Sequence, residues 1–286
     1  MVSVCVLSYN HENYIRQCLD GIMMQEVSFP IEVIVHDDAS KDRSQQIIQE
    51  YVQKYPDIVK PILQKENQYS KGKSIMGHFL FPKCTGKYVA LCEGDDYWTD
   101  THKLQRQVDF LEAHPDYVAL AENGLVRNEV TNTEYPFSKA PSRDINMEEV
   151  IITRRFPTAG VLCKRIALND YINTCRISVD TILWCWLLSK GKFRYEQTIS
   201  SVYRKGQQGM TVYTEPYKFA KTIEKWNREI LRVFDEKRSF MFMHIAKIYK
   251  SFIMPSIRQR HYKSAAKCCA KCGIFLIKSI YSKIFC

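Results

Sequence analysis

The stretch Tyr88-Val89-Ala90-Leu91-Cys92-Glu93-Gly94-Asp95-Asp96 sets five apolar residues in a row against three acids and a glycine. An unbroken apolar run of this length reads as a strand buried on both faces, the kind a parallel sheet supplies. The three carboxylates then leave that strand together at its carboxyl end.

Moving outward, the same arrangement recurs twice upstream. Val2 to Leu7 is a nearly all-apolar run ending at Ser8-Tyr9-Asn10, and Ile31 to Val35 repeats the buried-strand signal, ending at His36-Asp37-Asp38. Helical spacing separates them: Tyr14, Ile15, Cys18, Leu19, Ile22 and Met23 share one face, as do Ile47, Ile48, Tyr51, Val52 and Tyr55, with Ser40 and Asp42 as N-caps. Val59 to Leu63 predicts a weaker strand interrupted by Pro61, then a polar loop over 65–74 and a helix leading to Pro82. Past the acidic cluster, Asp100 can cap a helix carrying Leu104, Val108 and Leu111. This alternation predicts an α/β fold with a mostly parallel sheet sandwiched by helices, whose ligands bind at the carboxyl ends of the strands. Ser8-Tyr9-Asn10, Asp37-Asp38 and Glu93 to Asp96 should therefore meet in one crevice. Beyond Pro115 the expected elements are strands near Tyr117 to Ala121 and Ala159 to Cys163 and a helix from Thr181 to Leu188. From Pro216 onward the pattern is helical, with a break at Pro255.

The 286 residues, 45% of them apolar, suffice for one large domain and a smaller appendage. The net charge of +10 would suggest nucleic acid if it were diffuse, but it is concentrated at one end. From Lys237 to Cys286 there are 11 Lys and Arg and no Asp or Glu, which leaves 30 basic against 31 acidic residues before it. The cationic segment is interleaved with Ile245, Ile248, Tyr249 and Phe252, then Ile274, Phe275, Ile277, Ile280 and Tyr281. Such a mixture suits an anionic membrane surface through residues 237–286, or else a helical appendage with solvated lysines; nucleic acid is not expected, for want of aromatic base-stacking motifs. The eleven cysteines are scattered, and no basic, apolar leader precedes them, so a reducing cytoplasm is the expected setting, with attachment at the inner face of the plasma membrane. Cys5, Cys92, Cys163 and Cys185 lie in apolar runs, where a thiol packs as a small hydrophobe. Cys268-Cys269-x-x-Cys272 lacks the second pair that a zinc site requires. The longest apolar run, Ile182 to Leu188, is far short of the ~20 residues of a membrane-spanning helix.

Carboxylates crowded on one turn repel each other unless a cation joins them. Glu93, Asp95 and Asp96 are hard oxygen donors suited to Mn²⁺ or Mg²⁺, and a cation so held stabilises a leaving diphosphate. Asp38 can accept the imide N–H of a pyrimidine or bind ribose hydroxyls, and Tyr9 can pack on the base. The structural alternatives are an acidic turn bonded to loop amides, and an Asp37 that caps the turn from Ser40 to Asp42.

Taken together, Val2-Ser3-Val4-Cys5-Val6-Leu7-Ser8-Tyr9-Asn10, Ile34-Val35-His36-Asp37-Asp38-Ala39-Ser40 and Cys92-Glu93-Gly94-Asp95-Asp96-Tyr97-Trp98 resemble the motifs of the family 2 glycosyltransferases. The resemblance extends over roughly residues 1–210, with Lys103-Leu104-Gln105 and Gln107-Val108 following the cluster. It implies a GT-A, Rossmann-like fold, with residues 1–215 as the transferase domain: 1–115 as its nucleotide-sugar-binding half and 116–215 as the acceptor-facing half. Residues 216–286 are then a basic helical extension. The implied reaction is inversion at the anomeric carbon by direct displacement, in which a carboxylate deprotonates the acceptor hydroxyl of a glycan or lipid-linked acceptor. By the match, Tyr9 and Asp38, flanked by Ser8 and Asn10, hold the nucleoside. Asp95 serves the ribose or phosphate side, Asp96 the metal, and Glu93 is a further ligand or support.

The family's base usually lies on an acidic pair opening a later helix; Val179-Asp180-Thr181 has one acid, which nominates Asp180, also well placed as an N-cap. Tyr203-Arg204-Lys205 resembles a segment whose basic groups approach the diphosphate, though Gly206 stands where a histidine often follows. Arg43 and His36 depart from the family's usual residues outside the chemistry. The competing readings are a nucleotidyltransferase, disfavoured by the missing Gly-rich basic loop after the first strand, and a catalytically degenerate nucleotide-binding protein recruited to membranes.

Overall fold

The computed structural model describes residues 1–175, 180–206 and 216–285. Val179, and the junction near residue 215 between the two expected domains, lie outside them. The chain divides into two compact units, Met1–Gly206 and Gln207–Cys286.

In the first unit, β1 (Val2–Ser8), β2 (Ile31–Asp37), β3 (Val59–Leu63) and β4 (Tyr88–Glu93) form a parallel block in the order β3-β2-β1-β4. The period-2 alternation of a strand sorts its side chains onto two faces. Val2, Val4 and Val6 pack with Ile15, Leu19 and Ile22 of α1 (Ile15–Met23), Ile48 and Tyr51 of α2 (Ser44–Lys54), and Leu104, Val108 and Leu111 of α3 (Lys103–Ala113). Cys5 faces the other way, its Sγ 3.4 Å from that of Cys84. Burial between helices accounts for the largely apolar sequences of β1, β2 and β4, while the half-exposed β3 carries Lys60 and Pro61.

Beyond β4 the sheet is mixed. Following β5 (Tyr97–Trp98), β6 (Tyr117–Asn128), β7 (Thr133–Pro136), β8 (Arg143–Ile145) and the short α4 (Met147–Ile152), strand β9 (Val161–Lys164) inserts antiparallel between β4 and β6. The short α5 (Tyr171–Thr174) and α6 (Asp180–Leu188) lead into β10 (Lys192–Lys205), which runs parallel to β6 and antiparallel to β5. The longest strand, β10, has no apolar run to announce it. Its second half buries Ser200 and Ser201 beside Val202, and register shifts interrupt its pairing with β6 between Glu196 and Ser201.

Two other local expectations are revised. The helix expected before Pro82 is a π-helical turn over Met76–Leu80. The C-terminal break comes at Phe252, with Pro255 inside the first turn of the next helix, where its missing N–H costs no hydrogen bond.

Trp98 ties the acidic turn to this mixed half. Its ring is fully buried, its Nε1 donates to Ala159 O at 2.8 Å, and Lys103 Nζ lies 4.5 Å from the ring centroid. Lys103, buried and held below its ordinary pKa at about 8 chiefly by desolvation, donates to Gln107 Oε1 at 2.8 Å, and Gln107 Nε2 donates to Gly160 O at 2.7 Å. The Lys103 and Gln107 signature is thus a buried brace between α3 and the segment before β9.

The second unit contains α7 (Pro216–Val233), α8 (Arg238–Ser251), α9 (Ile253–Arg258) and α10 (Tyr262–Phe285) around a small core of Ala220, Ile245, Ala246, Tyr249, Cys268 and Phe275. Tyr249 donates to the buried carboxylate of Glu224, which also pairs with Arg228 at 2.7 Å. Among the described residues no helix is long and apolar enough to cross a membrane, and no disulfide joins the described cysteines.

At Gly160 a β-carbon would lie 2.2 Å from Glu122 O, whereas at Gly273 in α10 it would meet nothing within 4 Å. Gly160→Ala should therefore lose about 1–3 kcal/mol of stability through forced backbone displacement, and Gly273→Ala should be neutral or gain up to about 1 kcal/mol of helix propensity. Thermal and urea unfolding of the two variants checks this ordering.

Candidate active site

Three strand ends build the site. Where β1 stops, Asn10 adopts φ 57° and turns the chain; its amide donates to Ser40 Oγ at 2.8 Å and its Oδ1 accepts from Lys41 N at 2.8 Å. Asn10 thereby splices the loop after β1 to the loop after β2. Asp37 supports that loop from below, accepting Ser40 N at 2.9 Å and Gln45 Nε2 at 2.7 Å. Of the two readings of Asp37, the turn-capping one is what the structure contains.

Asp38, almost fully buried, accepts the amides of Gln68 at 2.7 Å and Tyr69 at 3.0 Å, one with each carboxylate oxygen. It holds the 67–69 loop over the ends of β2 and β3 while keeping lone pairs on both oxygens. Tyr9 is 43% exposed beside it, and the buried Ser8 Oγ has no hydrogen-bond partner.

After β4 the turn is forced tight. Gly94 N donates to Leu7 O at 2.7 Å, and a β-carbon there would come within 2.7 Å of the same oxygen and 2.8 Å of His11 Nδ1. Only glycine fits where the β4 turn presses on the end of β1. This pins the acidic turn, and one carboxylate oxygen each from Glu93, Asp95 and Asp96 lie within 4.8 Å of one another.

Their environments differ. Asp96 is completely buried; its Oδ1 accepts the amide of Arg204 at 2.9 Å, and its Oδ2 is bonded to nothing. Burial, with Glu93 and Asp95 nearby, raises its pKa well above the ordinary carboxylate value. Glu93 is pushed up to about 8, first by burial and then by Asp180 and Asp95, with Arg154 opposing. An orphaned buried carboxylate oxygen within a set of three hard donors fits a divalent cation: Asp96, Asp95 and Glu93 are the residues that would hold it.

Arg204 reaches the turn by a route the sequence does not suggest. Its guanidinium donates to Asp95 O and to Gln17 Oε1, faces Glu129 at 3.4 Å, and lies 4.4 Å from the Tyr97 and 5.0 Å from the Tyr14 ring centroids. It braces the acidic turn against α1 and the end of β6.

Asp180 stands at the first residue of α6. It accepts Thr158 Oγ1 at 2.8 Å and faces Arg154 Nη2 at 3.4 Å. Arg154 also donates to Thr158 Oγ1 at 2.6 Å and packs 5.5 Å from the centroids of Phe137 and Tyr203. The pKa of Tyr203 is raised by burial and then by Glu93, Asp96 and Asp95, with Arg154 opposing. Asp180 raises and Arg154 lowers the pKa of Glu93, so both lie close enough to act on the acidic turn from the mixed half of the unit.

Arg154, Thr158 and His11 were not anticipated. Burial lowers the pKa of His11, opposed by Asp95, which it faces at 4.0 Å. The Arg154-Arg155 doublet between apolar segments was the one available hint; Thr158 lies on a 3₁₀ turn with no periodic signal. No metal-ligand grouping involves the Cys268 to Cys272 segment among the described residues.

Residues 3–185 match the model of glycosyl transferase family 2. The uncharacterised protein Rv1520 of Mycobacterium tuberculosis is 34% identical over 227 residues, 77% of this chain and 64% of its own length. The chain thus spans under two thirds of that relative. The teichuronic acid biosynthesis glycosyltransferase TuaG of Bacillus subtilis, so named as putative, is 25% identical over 250 residues, 86% of this chain and 95% of its own. The UDP-Glc:alpha-D-GlcNAc-diphosphoundecaprenol beta-1,3-glucosyltransferase WfaP of Escherichia coli is 25% identical over 205 residues, 71% and 77% of the two chains. In structure, S. aureus TarS, solved with UDP-GlcNAc, is similar with a TM-score of 0.64 at 20% identity, over 88% of this chain and 72% of the other. The mannosyltransferase PcManGT from Pyrobaculum calidifontis, solved with GDP-Man and Mn²⁺, gives 0.56 at 16%, over 99% and 87%. These structures share the GT-A fold and the expected α/β architecture with its C-terminal helices.

Glu93 in the folded chain titrates near 8, above the roughly 4.3 of an unfolded glutamate. The folded form therefore binds the extra proton between these values, and the stability it contributes is complete below the lower value and lost as pH rises through the upper. Without divalent cations the melting temperature should fall between pH 5 and pH 8, and Glu93→Gln should flatten that slope. Added Mn²⁺ should raise the melting temperature more at pH 8 than at pH 5, because the cation displaces the proton. Thermal shift over a pH and metal grid measures both effects.

Proposed function

The chain belongs to glycosyl transferase family 2, and from that premise we propose that it is a metal-dependent, inverting transferase. It moves a sugar from a nucleoside diphosphate donor to a glycan or lipid-linked acceptor in cell-surface polysaccharide or glycolipid assembly. The observation that carries this reading is the buried, unpartnered Asp96 Oδ2 among three carboxylates at the carboxyl end of β4, in the crevice that also receives Tyr9 and Asp38. The names of TuaG and WfaP and the nucleotide-sugar complexes of TarS and PcManGT support the donor and acceptor classes. Family membership favours glycosyl over nucleotidyl transfer.

In this reading the nucleoside lies along the ends of β1 and β2. Tyr9 offers an exposed ring for the base, and Asp38 accepts from its N–H or from the ribose with the lone pairs its two amide contacts leave available. Mn²⁺ or Mg²⁺, when bound, neutralises charge developing on the leaving diphosphate. Asp96, Asp95 and Glu93 supply its protein oxygens. Arg204 keeps the Asp95 backbone and the Asp96 carboxylate in place through its side chain and amide.

Asp180 is the general base. Thr158 and Arg154 fix one of its oxygens, which leaves the other to take a proton from the acceptor hydroxyl. Asp180 stands in the first turn of α6, where a negative charge complements the positive end of the helix.

A screen of nucleotide sugars with Mn²⁺ by thermal shift identifies the donor. With that donor, Asp96→Ala should abolish metal-dependent release of nucleoside diphosphate while the fold persists; full activity in this variant would remove the metal assignment. Asp180→Asn should lose about 10²–10⁴-fold in transfer with donor affinity by calorimetry unchanged, and normal transfer would reduce Asp180 to a helix cap.

A further inference from the structure

Helix α10 has two apolar faces, and the second unit uses one of them. Ala265, Cys268, Phe275 and Ser279 are buried on the inner side. At about 100° per residue, Ala266, Ala270, Gly273, Ile277 and Ile280 fall on the opposite side, with Ile274 at its edge. Ile277 is 65% and Ile280 56% exposed, and Ile274 is 47% exposed. A Cβ at Gly273 would meet nothing within 4 Å, so the surface there is open. Lys263, Lys267 and Lys278, all exposed, line one flank of this stripe.

The charge of the segment selects what covers such a face. Residues 238–286 contain no acid, so a second copy laid on the stripe would set one row of lysines against another. Nucleic acid would satisfy the lysines and leave the isoleucines in water. An anionic lipid surface accommodates both: headgroups take the ammonium groups, and the isoleucines enter the acyl boundary. At 24 residues with lysines along its length, α10 lies in the plane of the interface rather than across it.

We infer that the outward stripe of α10, Ile274, Ile277 and Ile280 flanked by Lys263, Lys267 and Lys278, is a docking surface for an anionic membrane. In a cell this is the chemistry of the cytoplasmic leaflet. The inference narrows the cationic character of the C-terminal unit to one helix face, and it holds whichever sugar is transferred.

Co-sedimentation of the full chain with phosphatidylglycerol–phosphatidylcholine vesicles and with pure phosphatidylcholine vesicles tests it. The chain should favour the anionic vesicles, less so at high salt. Ile277→Glu with Ile280→Glu should weaken binding on the order of tenfold or more, as should Lys263→Gln, Lys267→Gln and Lys278→Gln combined. Ile277→Ser with Ile280→Ser gives a milder variant, and circular dichroism with solution turnover of the donor, run on every variant, separates loss of docking from loss of fold or chemistry. Equal partition of the wild type and the glutamate variant overturns the inference. So does wild-type dimerisation that Ile277→Glu abolishes without any vesicle binding, which would make the stripe a contact between copies.

Discussion

One carboxylate, that of Asp96, joins the parts of the catalytic unit while retaining an unmet demand of its own. Its Oδ1 receives the amide of Arg204, which draws the end of β10 onto the turn after β4, and its Oδ2 is buried without a partner. A buried oxygen without a hydrogen bond is costly, and with Glu93 and Asp95 beside it the cost is compounded by like charge. The surroundings compensate: Gly94 presses the turn onto Leu7 O, Trp98 anchors its far end in the core, and Arg204 grips Asp95 O. Strain of this kind persists where the neighbouring structure over-determines it, and a divalent cation is the partner proposed to relieve it.

The same economy appears at the other residues of the crevice. Asn10 is committed to joining two loops, Asp37 to supporting one of them, and Arg204 to bracing a turn. Asp38, Tyr9 and Asp180 retain lone pairs or exposed surface, and the proposed chemistry is assigned to them. Arg154, enclosed by Phe137, Tyr203, Thr158 and Asp180, gives the mixed half of the sheet its electrostatic link to Glu93.

The parallel block and the placement of its polar ends are written directly in the sequence. Strands buried on both faces must be written as apolar runs, and their carboxyl ends must carry whatever polar groups the crevice needs, so Ser8, Asp38 and the residues from Glu93 to Asp96 were legible in order. The helix faces of α1 to α3 were equally plain, because burial against a sheet imposes a 3.6-residue period. The tertiary structure alone decided how the second half closes the site. Strand β10 pairs through buried serines that carry no hydrophobic signature. Thr158 and Arg154 sit on irregular backbone, and the partners of Arg204 come from α1, β6 and the acidic turn, far apart in the chain. The difference is physical: periodic burial writes itself into local sequence, whereas long-range pairing of polar groups leaves no local period and becomes visible only when the chain has folded.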